Sequence, residues 1–250
     1  MKKYTPHNKS SSAQKINRET LYTLYENSPL PVDEMLINTG LYTRSSAFSK
    51  FLFLNEIYEK IIHIPGNILM FGTWWGQDVV VLYNLRAIHE PYNFTRRVIG
   101  FDTFTGYPEI SEKDKLSDTI KKGAYGTSEN YIGYLTTLLE YHEKENILSH
   151  IKKFELVKGD ILKTLPQYSK RNPHEIISLV YIDVALYEPT KLILEKCLPR
   201  LAKGGLIVFD QLNAAEYPGE TIAFREELGL GKYKIQRSKY LPDRSYIIIE

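Results

Sequence analysis

The sequence predicts an α/β fold with a mostly parallel sheet, and three observations carry that prediction. From Asn67 to Phe209, short apolar runs alternate with helical periodicities, the mark of successive βαβ units. One such unit, VYIDVALYEPTKLILEKCLPRLAKGGLIVFDQ over 180–211, reads as a buried strand ending in Asp183, a helix, a Gly204-Gly205 turn and a second buried strand ending in Asp210. A length of 250 residues suits one such domain with a short appended arm.

The elements follow in order. Residues 1–18 are polar and rich in Ser and Lys, and read as a mobile arm. A short helix is predicted from Glu19 to Asn27, with Pro29 and Pro31 breaking the chain behind it. The arm is therefore placed at 1–30, partly disordered, and a single domain at 31–250. Phe48, Phe51, Leu52, Ile57, Ile61 and Ile62 give a broad apolar helical face over 46–63, stopped by Pro65-Gly66. Strand one is predicted at 67–71 and a helix at 77–89. Strand two follows at 97–101, then a polar insertion or lid near 111–127. A helix over 128–146 has Ser128 as its candidate cap. Strand three is expected at 154–157, a helix from Ile161, strand four at 176–182 and strand five at 206–209. A helix near 220–228 leads to two closing strands, 232–237 and 245–249, around the Pro242-Asp243 turn.

Composition removes several classes of function. A net charge of +2 from 32 basic and 30 acidic residues provides no field to attract nucleic acid or an anionic membrane. No segment approaches the ~20 apolar residues of a membrane helix, and MKKYTPHNKSSSAQK lacks the apolar run of a secretory signal. A soluble cytoplasmic protein is expected. The single cysteine, Cys197, excludes an internal disulfide and falls on the apolar face of its predicted helix, the place of a core thiol. Six scattered histidines show no metal-ligand spacing, and no G-x-S-x-G, Walker A or H-E-x-x-H string is present. Nineteen tyrosines fit an aromatic-lined pocket and a Tyr-rich core equally well.

In an open parallel sheet, ligands sit beyond the carboxyl ends of the strands. Asp183 and Asp210 are both delivered there, where they could hold a metal, position a substrate or remove a proton. The turn after strand one, Phe71-Gly72-Thr73-Trp74-Trp75-Gly76, lets a ligand approach the backbone at a helix amino end. It lacks the full G-x-G-x-x-G and so suits a smaller nucleoside ligand better than a pyrophosphate; equally, its glycines could serve only a tight turn. Asp102, with Thr103 beside it, is placed to accept hydrogen bonds from ribose hydroxyls. Gly159 and Asp160 are placed to border a base, although Asp160 could also cap the helix behind it.

The ordered strings FGTWWGQD, IGFDTFTGYPE, VKGDI, YIDVALYEPTK and GGLIVFDQLN resemble class I S-adenosylmethionine-dependent methyltransferases, and within them the macrocin O-methyltransferase-like group. The resemblance runs from about Ile61 to Glu250. It implies a Rossmann-like sheet, mostly parallel with an antiparallel C-terminal strand and helices on both faces. It also implies methylation of a hydroxyl on a sugar, nucleotide-linked sugar or similar small molecule. Gly72, Thr73, Trp74 and Gly76 would face the methionine part of S-adenosylmethionine, Asp102 and Thr103 the ribose, Asp160 and Ile161 the adenine, and Asp183 would border both cofactor and acceptor. By the same resemblance Mg²⁺ would be held by Asp183, Asp210 and position 211. Physically, such a cation stabilises an alkoxide as it forms.

The chain departs from the group at three positions. Ala185 stands where relatives often carry an acid considered a base, Gln211 where Asp or Glu is usual, and Met70 where Glu is frequent. Metal assistance is therefore expected to be weakened, since a Gln oxygen ligates without charge. Catalytic candidates are Asp183, Asp210, Glu220 and Tyr187, with Glu216 as a further acid that could compensate and Tyr107, like Tyr187, as a residue to line the acceptor pocket. Three other readings stand beside this one: an N-methyltransferase on an amine, a cofactor-binding relative without catalysis, and a nicotinamide dehydrogenase, which the missing glycine fingerprint disfavours. A homo-oligomer packed through its amino-terminal helices is also compatible with the sequence.

Overall fold

The computed structural model describes residues 10–117 and 119–250. In chain order these form α1 (Ser12–Glu26), α2 (Val32–Ile37), a 3-10 turn (Thr39–Tyr42), α3 (Ser45–Ile61), β1 (Asn67–Phe71), α4 (Gln77–His89), β2 (Val98–Asp102), α5 (Tyr131–Glu145), β3 (Phe154–Lys158) and α6 (Ile161–Arg171). There follow β4 (Ile177–Ile182), α7 (Tyr187–Cys197), a second 3-10 turn (Leu198–Arg200), β5 (Leu201–Phe209), α8 (Pro218–Glu227), β6 (Gln236–Arg237) and β7 (Ser245–Ile248).

The strands make one seven-stranded sheet in the order β3-β2-β1-β4-β5-β7-β6. Neighbours from β3 to β5 pair in parallel, and β7 runs antiparallel to both β5 and β6. The order reverses between β1 and β4, so the crevice between their carboxyl ends is the topological switch point where ligands bind in such sheets. The expected architecture is observed. The closing strand expected over 232–237 is only Gln236–Arg237.

The central strands are buried on both faces, which is why they read as continuous apolar runs. Alternate residues serve opposite cores. Ile68, Met70, Leu179, Tyr181, Leu206 and Val208 face the layer of Ile57, Val79 and Leu139 from α3, α4 and α5. Leu69, Phe71, Val180, Ile182, Ile207 and Phe209 face Leu165, Ile193 and Phe224 from α6, α7 and α8. Each large apolar side chain so buried contributes about 1.5–3 kcal/mol. Cys197 lies in the second layer, 1 % exposed, and burial pushes its thiol far up, as a core thiol should behave.

At the amino-terminal edge of the sheet, Arg96 is 2 % exposed and gathers backbone carbonyls. It donates to Gly66 O at 2.9 Å, Ile61 O at 3.0 Å and Ile64 O at 2.8 Å. It also bonds Ser178 Oγ at 2.5 Å and pairs with Glu90 at 2.7 Å. The last turn of α3, the entry to β1 and the start of β4 are thereby fastened to one guanidinium.

The chain divides into two compact units, one up to Phe51 and the other Leu52–Glu250. In the first, α1 begins at Ser12, earlier than the helix predicted from Glu19. The cause is a capping box, in which Gln14 N donates to Ser11 Oγ at 3.2 Å and Ser11 N to Gln14 Oε1 at 2.9 Å. The earlier part of the predicted arm, residues 1–9, lies outside the described residues. No helix among the described residues is long and apolar enough to cross a membrane.

Candidate active site

The turn after β1 is held against the switch point. Gly72 N donates to Phe101 O at 2.9 Å and Asp183 N to Phe71 O at 2.8 Å. Gly72 has φ +87°, and a Cβ there would lie 1.9 Å from Asp183 O. Gly76, at φ +80°, caps α4, and a Cβ there would meet Leu135 at 2.4 Å. Both glycines are therefore demanded by local packing. The feature of this turn that points to a ligand is instead Thr73: it is 4 % exposed, and its Oγ1 is buried with no hydrogen-bond partner among the described residues.

Trp74 follows at φ +46°, and its N–H donates to Asp102 Oδ2 at 2.7 Å. Asp102 Oδ1 accepts from Phe104 N at 2.6 Å. Asp102 thus ties two loops together. Burial raises its carboxyl above the usual range, and the amides of Phe104, Trp74 and Thr73 counter that shift. Thr103 Oγ1 donates to Gly106 O at 2.7 Å, closing the FDTFTG turn. Asp160 caps α6, accepting from Leu162 N at 3.0 Å, and Ile161 is buried at the first helical position. These residues line up along the ends of β1, β2 and β3, as the sequence ordering predicts.

The described residues of the segment after β2, 103–117 and 119–127, are pinned at several points. Tyr107 N donates to Ala124 O at 3.0 Å, and Gly123 N to Tyr107 O at 2.9 Å. Buried Asp114 accepts from Ser111 N at 3.0 Å and from Tyr187 N at 2.8 Å, at the amino end of α7. Tyr187 is itself buried. Its hydroxyl donates to Glu226 Oε2 at 2.5 Å and accepts from Lys113 Nζ at 2.8 Å, so the fold already engages it on α8. Glu216 is half-buried in the loop before α8.

The acids at the ends of β4 and β5 form one connected set. Gln211 Nε2 donates to Asp183 Oδ1 at 3.2 Å and to Asp210 Oδ2 at 2.5 Å. Asp210 Oδ1 accepts from Tyr181 OH at 3.1 Å and pairs with Arg244 Nε. Gln211 N donates to Glu220 Oε1 at 2.8 Å. Burial, with Asp210 beside it, pushes the Tyr181 hydroxyl far up, so it stays a donor. Burial opposes charge on Arg244, but Asp210 holds its guanidinium protonated. Met70 is core, and Ala185 is buried at φ +60°, so neither supplies an acid.

These donors do not fit a divalent cation. Both Asp210 oxygens are occupied by protein donors, the neighbouring positive charge is a guanidinium, and Gln211 turns N–H groups rather than an oxygen towards the carboxylates. Among the described residues no group of three or more His, Cys, Asp or Glu could hold a metal ion.

Glu220 is fully buried, and burial, reinforced by Asp210, raises its carboxyl well above 4.5. The folded protein therefore holds this proton to higher pH than the unfolded chain does. Stability should fall by about 1.4 kcal/mol per pH unit from near pH 4.5 up to its native pKa. Glu220→Gln should flatten that slope in urea titrations across pH. An unchanged slope would show that Glu220 is ionised in the fold.

Sequence reasoning missed Arg244 and Tyr181. Arg244 lies in an unremarkable PDRSY turn, and Tyr181 within an apolar strand where a hydroxyl gives no pattern.

A family model described as Macrocin-O-methyltransferase (TylF) matches residues 50–233. A curated relative from Streptomyces olivaceus, the 8-demethyl-8-(2,3-dimethoxy-alpha-L-rhamnosyl)-tetracenomycin-C 4'-O-methyltransferase, is 26% identical over 59% of this chain. The match spans 53% of that relative, about half its length. Among solved structures, CalS11, a calicheamicin methyltransferase, is 34% identical with a TM-score of 0.93, covering 99% of this chain and 97% of its own. An apo structure of CalS11, described as a TDP-rhamnose 3'-O-methyltransferase, is 33% identical with a TM-score of 0.85, covering 96% and 95%. With the family model spanning the glycine turn, the strand-end acids and most of the sheet, this chain belongs to the macrocin O-methyltransferase (TylF) family.

Proposed function

We propose that the chain transfers a methyl group from S-adenosylmethionine to a hydroxyl of a sugar, and that the acceptor is a 6-deoxyhexose of the rhamnose type. The observation that carries this reading is the near-complete match to CalS11, whose description names TDP-rhamnose. The rhamnosyl 4'-O-methyltransferase supports the same acceptor class.

S-adenosylmethionine supplies an electrophilic methyl on a sulfonium when bound. The chain's residues do the rest. Thr73 Oγ1, buried and without a partner, offers a hydrogen bond to the methionine end, Asp102 accepts from the ribose, and Asp160 with Ile161 borders the base. An uncharged alcohol is a poor nucleophile, so its proton must leave as the new bond forms. Asp183 takes that proton in this reading. Gln211 orients its carboxylate, and Arg244 neutralises Asp210 so that it does not oppose negative charge on the acceptor oxygen. No step uses Mg²⁺. Exposed apolar side chains on the first two helices, Ile16, Leu24, Val32 and Ile37 among them, support self-association.

Incubation with ¹³C-methyl S-adenosylmethionine and TDP-rhamnose, followed by NMR, tests both parts. Methylated sugar is expected, at a rate indifferent to EDTA. A rate abolished by EDTA and restored by Mg²⁺ would defeat the metal-free mechanism. Binding of S-adenosylhomocysteine with no transfer to any sugar would instead identify a relative that retains the cofactor without the reaction.

A further inference from the structure

We propose that Trp74, Tyr107, Tyr125 and Tyr217 form the acceptor subsite, a wall of aromatic rings that takes the C–H-rich face of a pyranose. This rests on the reading that the chain methylates a sugar.

The four side chains come from three separate segments and meet beyond the carboxyl ends of the strands. Trp74 stands in the turn after β1, Tyr107 and Tyr125 in the segment after β2, and Tyr217 immediately before α8. Tyr125 is their hub. Its ring lies 5.9 Å from Trp74 in an edge-on contact and 5.3 Å from Tyr107 at a tilt of 56°. Its hydroxyl is 3.0 Å from that of Tyr217.

Core packing does not account for this cluster. All four residues are only half-buried, whereas the aromatic pair Phe71 and Phe101 in the sheet is fully enclosed. Two of the four also hold left-handed backbone, Trp74 at φ +46° and Tyr125 at φ +63°. Nearby positions with the same need carry glycine: Gly72, Gly76, Gly106 and Gly123. Bulky rings at such positions are disfavoured, and strain of this kind gathers where side chains must be aimed at a ligand. The fold supports both. Trp74 N is bonded to Asp102, and Tyr125 follows directly on Ala124, whose carbonyl accepts from Tyr107 N.

The chemistry of the wall selects its ligand. Aromatic faces carry partial negative charge and attract weakly positive C–H groups, which one face of a pyranose presents in a row. None of the four rings carries a charge, so an uncharged sugar suits the wall better than a phosphate does. The Tyr125–Tyr217 hydroxyl pair can give and accept hydrogen bonds at the sugar's rim. The wall also adjoins the reacting edge, because Trp74 is two residues from Gly72, whose backbone abuts Asp183.

The chain's two tryptophans are neighbours, Trp74 and Trp75, so intrinsic fluorescence reads this wall directly. With the protein saturated with S-adenosylhomocysteine, both methyl α-L-rhamnoside and TDP-rhamnose should change the emission, and TDP alone should not. A response to TDP and TDP-rhamnose but none to the rhamnoside would place the nucleobase on the wall and overturn the proposal. Tyr125→Leu should raise KM for TDP-rhamnose about tenfold or more with S-adenosylhomocysteine affinity unchanged, and Tyr125→Phe should raise it less. An unmoved KM in a folded Tyr125→Leu protein overturns the subsite while leaving the sugar methyltransferase reading intact. Parallel loss of S-adenosylhomocysteine affinity and melting temperature would make Tyr125 merely structural, and also overturns it. If the wild-type protein binds S-adenosylhomocysteine but neither methylates nor responds to either sugar, the functional reading itself fails.

Discussion

Asp183→Asn is expected to lower methyl transfer by about 10²–10⁴-fold, the usual worth of a positioned general base. Asparagine preserves the volume and can still accept the hydrogen bond that Gln211 Nε2 gives Asp183 Oδ1 at 3.2 Å. What it cannot do is take a proton. The loss should therefore fall on kcat, with S-adenosylhomocysteine affinity by calorimetry close to that of the wild type. Retention of more than about a tenth of the rate would remove Asp183 from the proton's path. Asp210 is the weaker candidate for this role, since Tyr181, Gln211 and Arg244 already occupy both of its oxygens.

Arg96→Leu should destabilise the fold by at least 3–5 kcal/mol, the order seen when a buried charged pair loses one member. The substitution leaves Glu90 without its guanidinium partner and strips the carbonyls of Ile61, Ile64 and Gly66 of a donor at once. Against a typical stability of about 5–15 kcal/mol, such a loss leaves little margin. Urea denaturation should show the midpoint collapsing or no cooperative transition. Arg96→Lys should rescue only in part, because a single ammonium cannot reproduce the planar fork. A midpoint within about 1 kcal/mol of wild type would show that water replaces the lost donors.

Much of this molecule was legible in its sequence, for identifiable reasons. The strand at Asn67–Phe71 and the helix at Gln77–His89 lie where predicted, because a doubly buried strand and an apolar helical face each leave a strong pattern. Strand five was read short. It starts at Leu201 and passes through Gly204 and Gly205, residues that imitate a turn. The helix after the polar insertion begins at Tyr131 rather than Ser128, with Asn130 in left-handed backbone and no side-chain cap. The short helix α2 was missed: six residues with no buried face carry no usable periodicity.

At the site, the strand-end acids could be located because topology alone brings them to one edge. Their partners could not. Arg244 reaches Asp210 from 34 residues away, and Tyr125 meets Tyr217 across 92. No local pattern encodes either meeting. The departures at Ala185 and Gln211 were visible as letters, but the bonds that Gln211 gives to Asp183 and Asp210 became visible only as geometry.

The position of Arg244 also bears on how the protein is made. It lies in the turn that leads into β7, the strand that follows all others in chain order and docks antiparallel on β5. As synthesis proceeds, the turns after β1, β2 and β3 are complete long before that strand appears, and Asp210 is laid down well ahead of its guanidinium. The two halves of the site therefore mature at different times. A nascent chain can shape the turns after β1, β2 and β3 early, while Asp210 gains its charge balance only when the late strand zips into place.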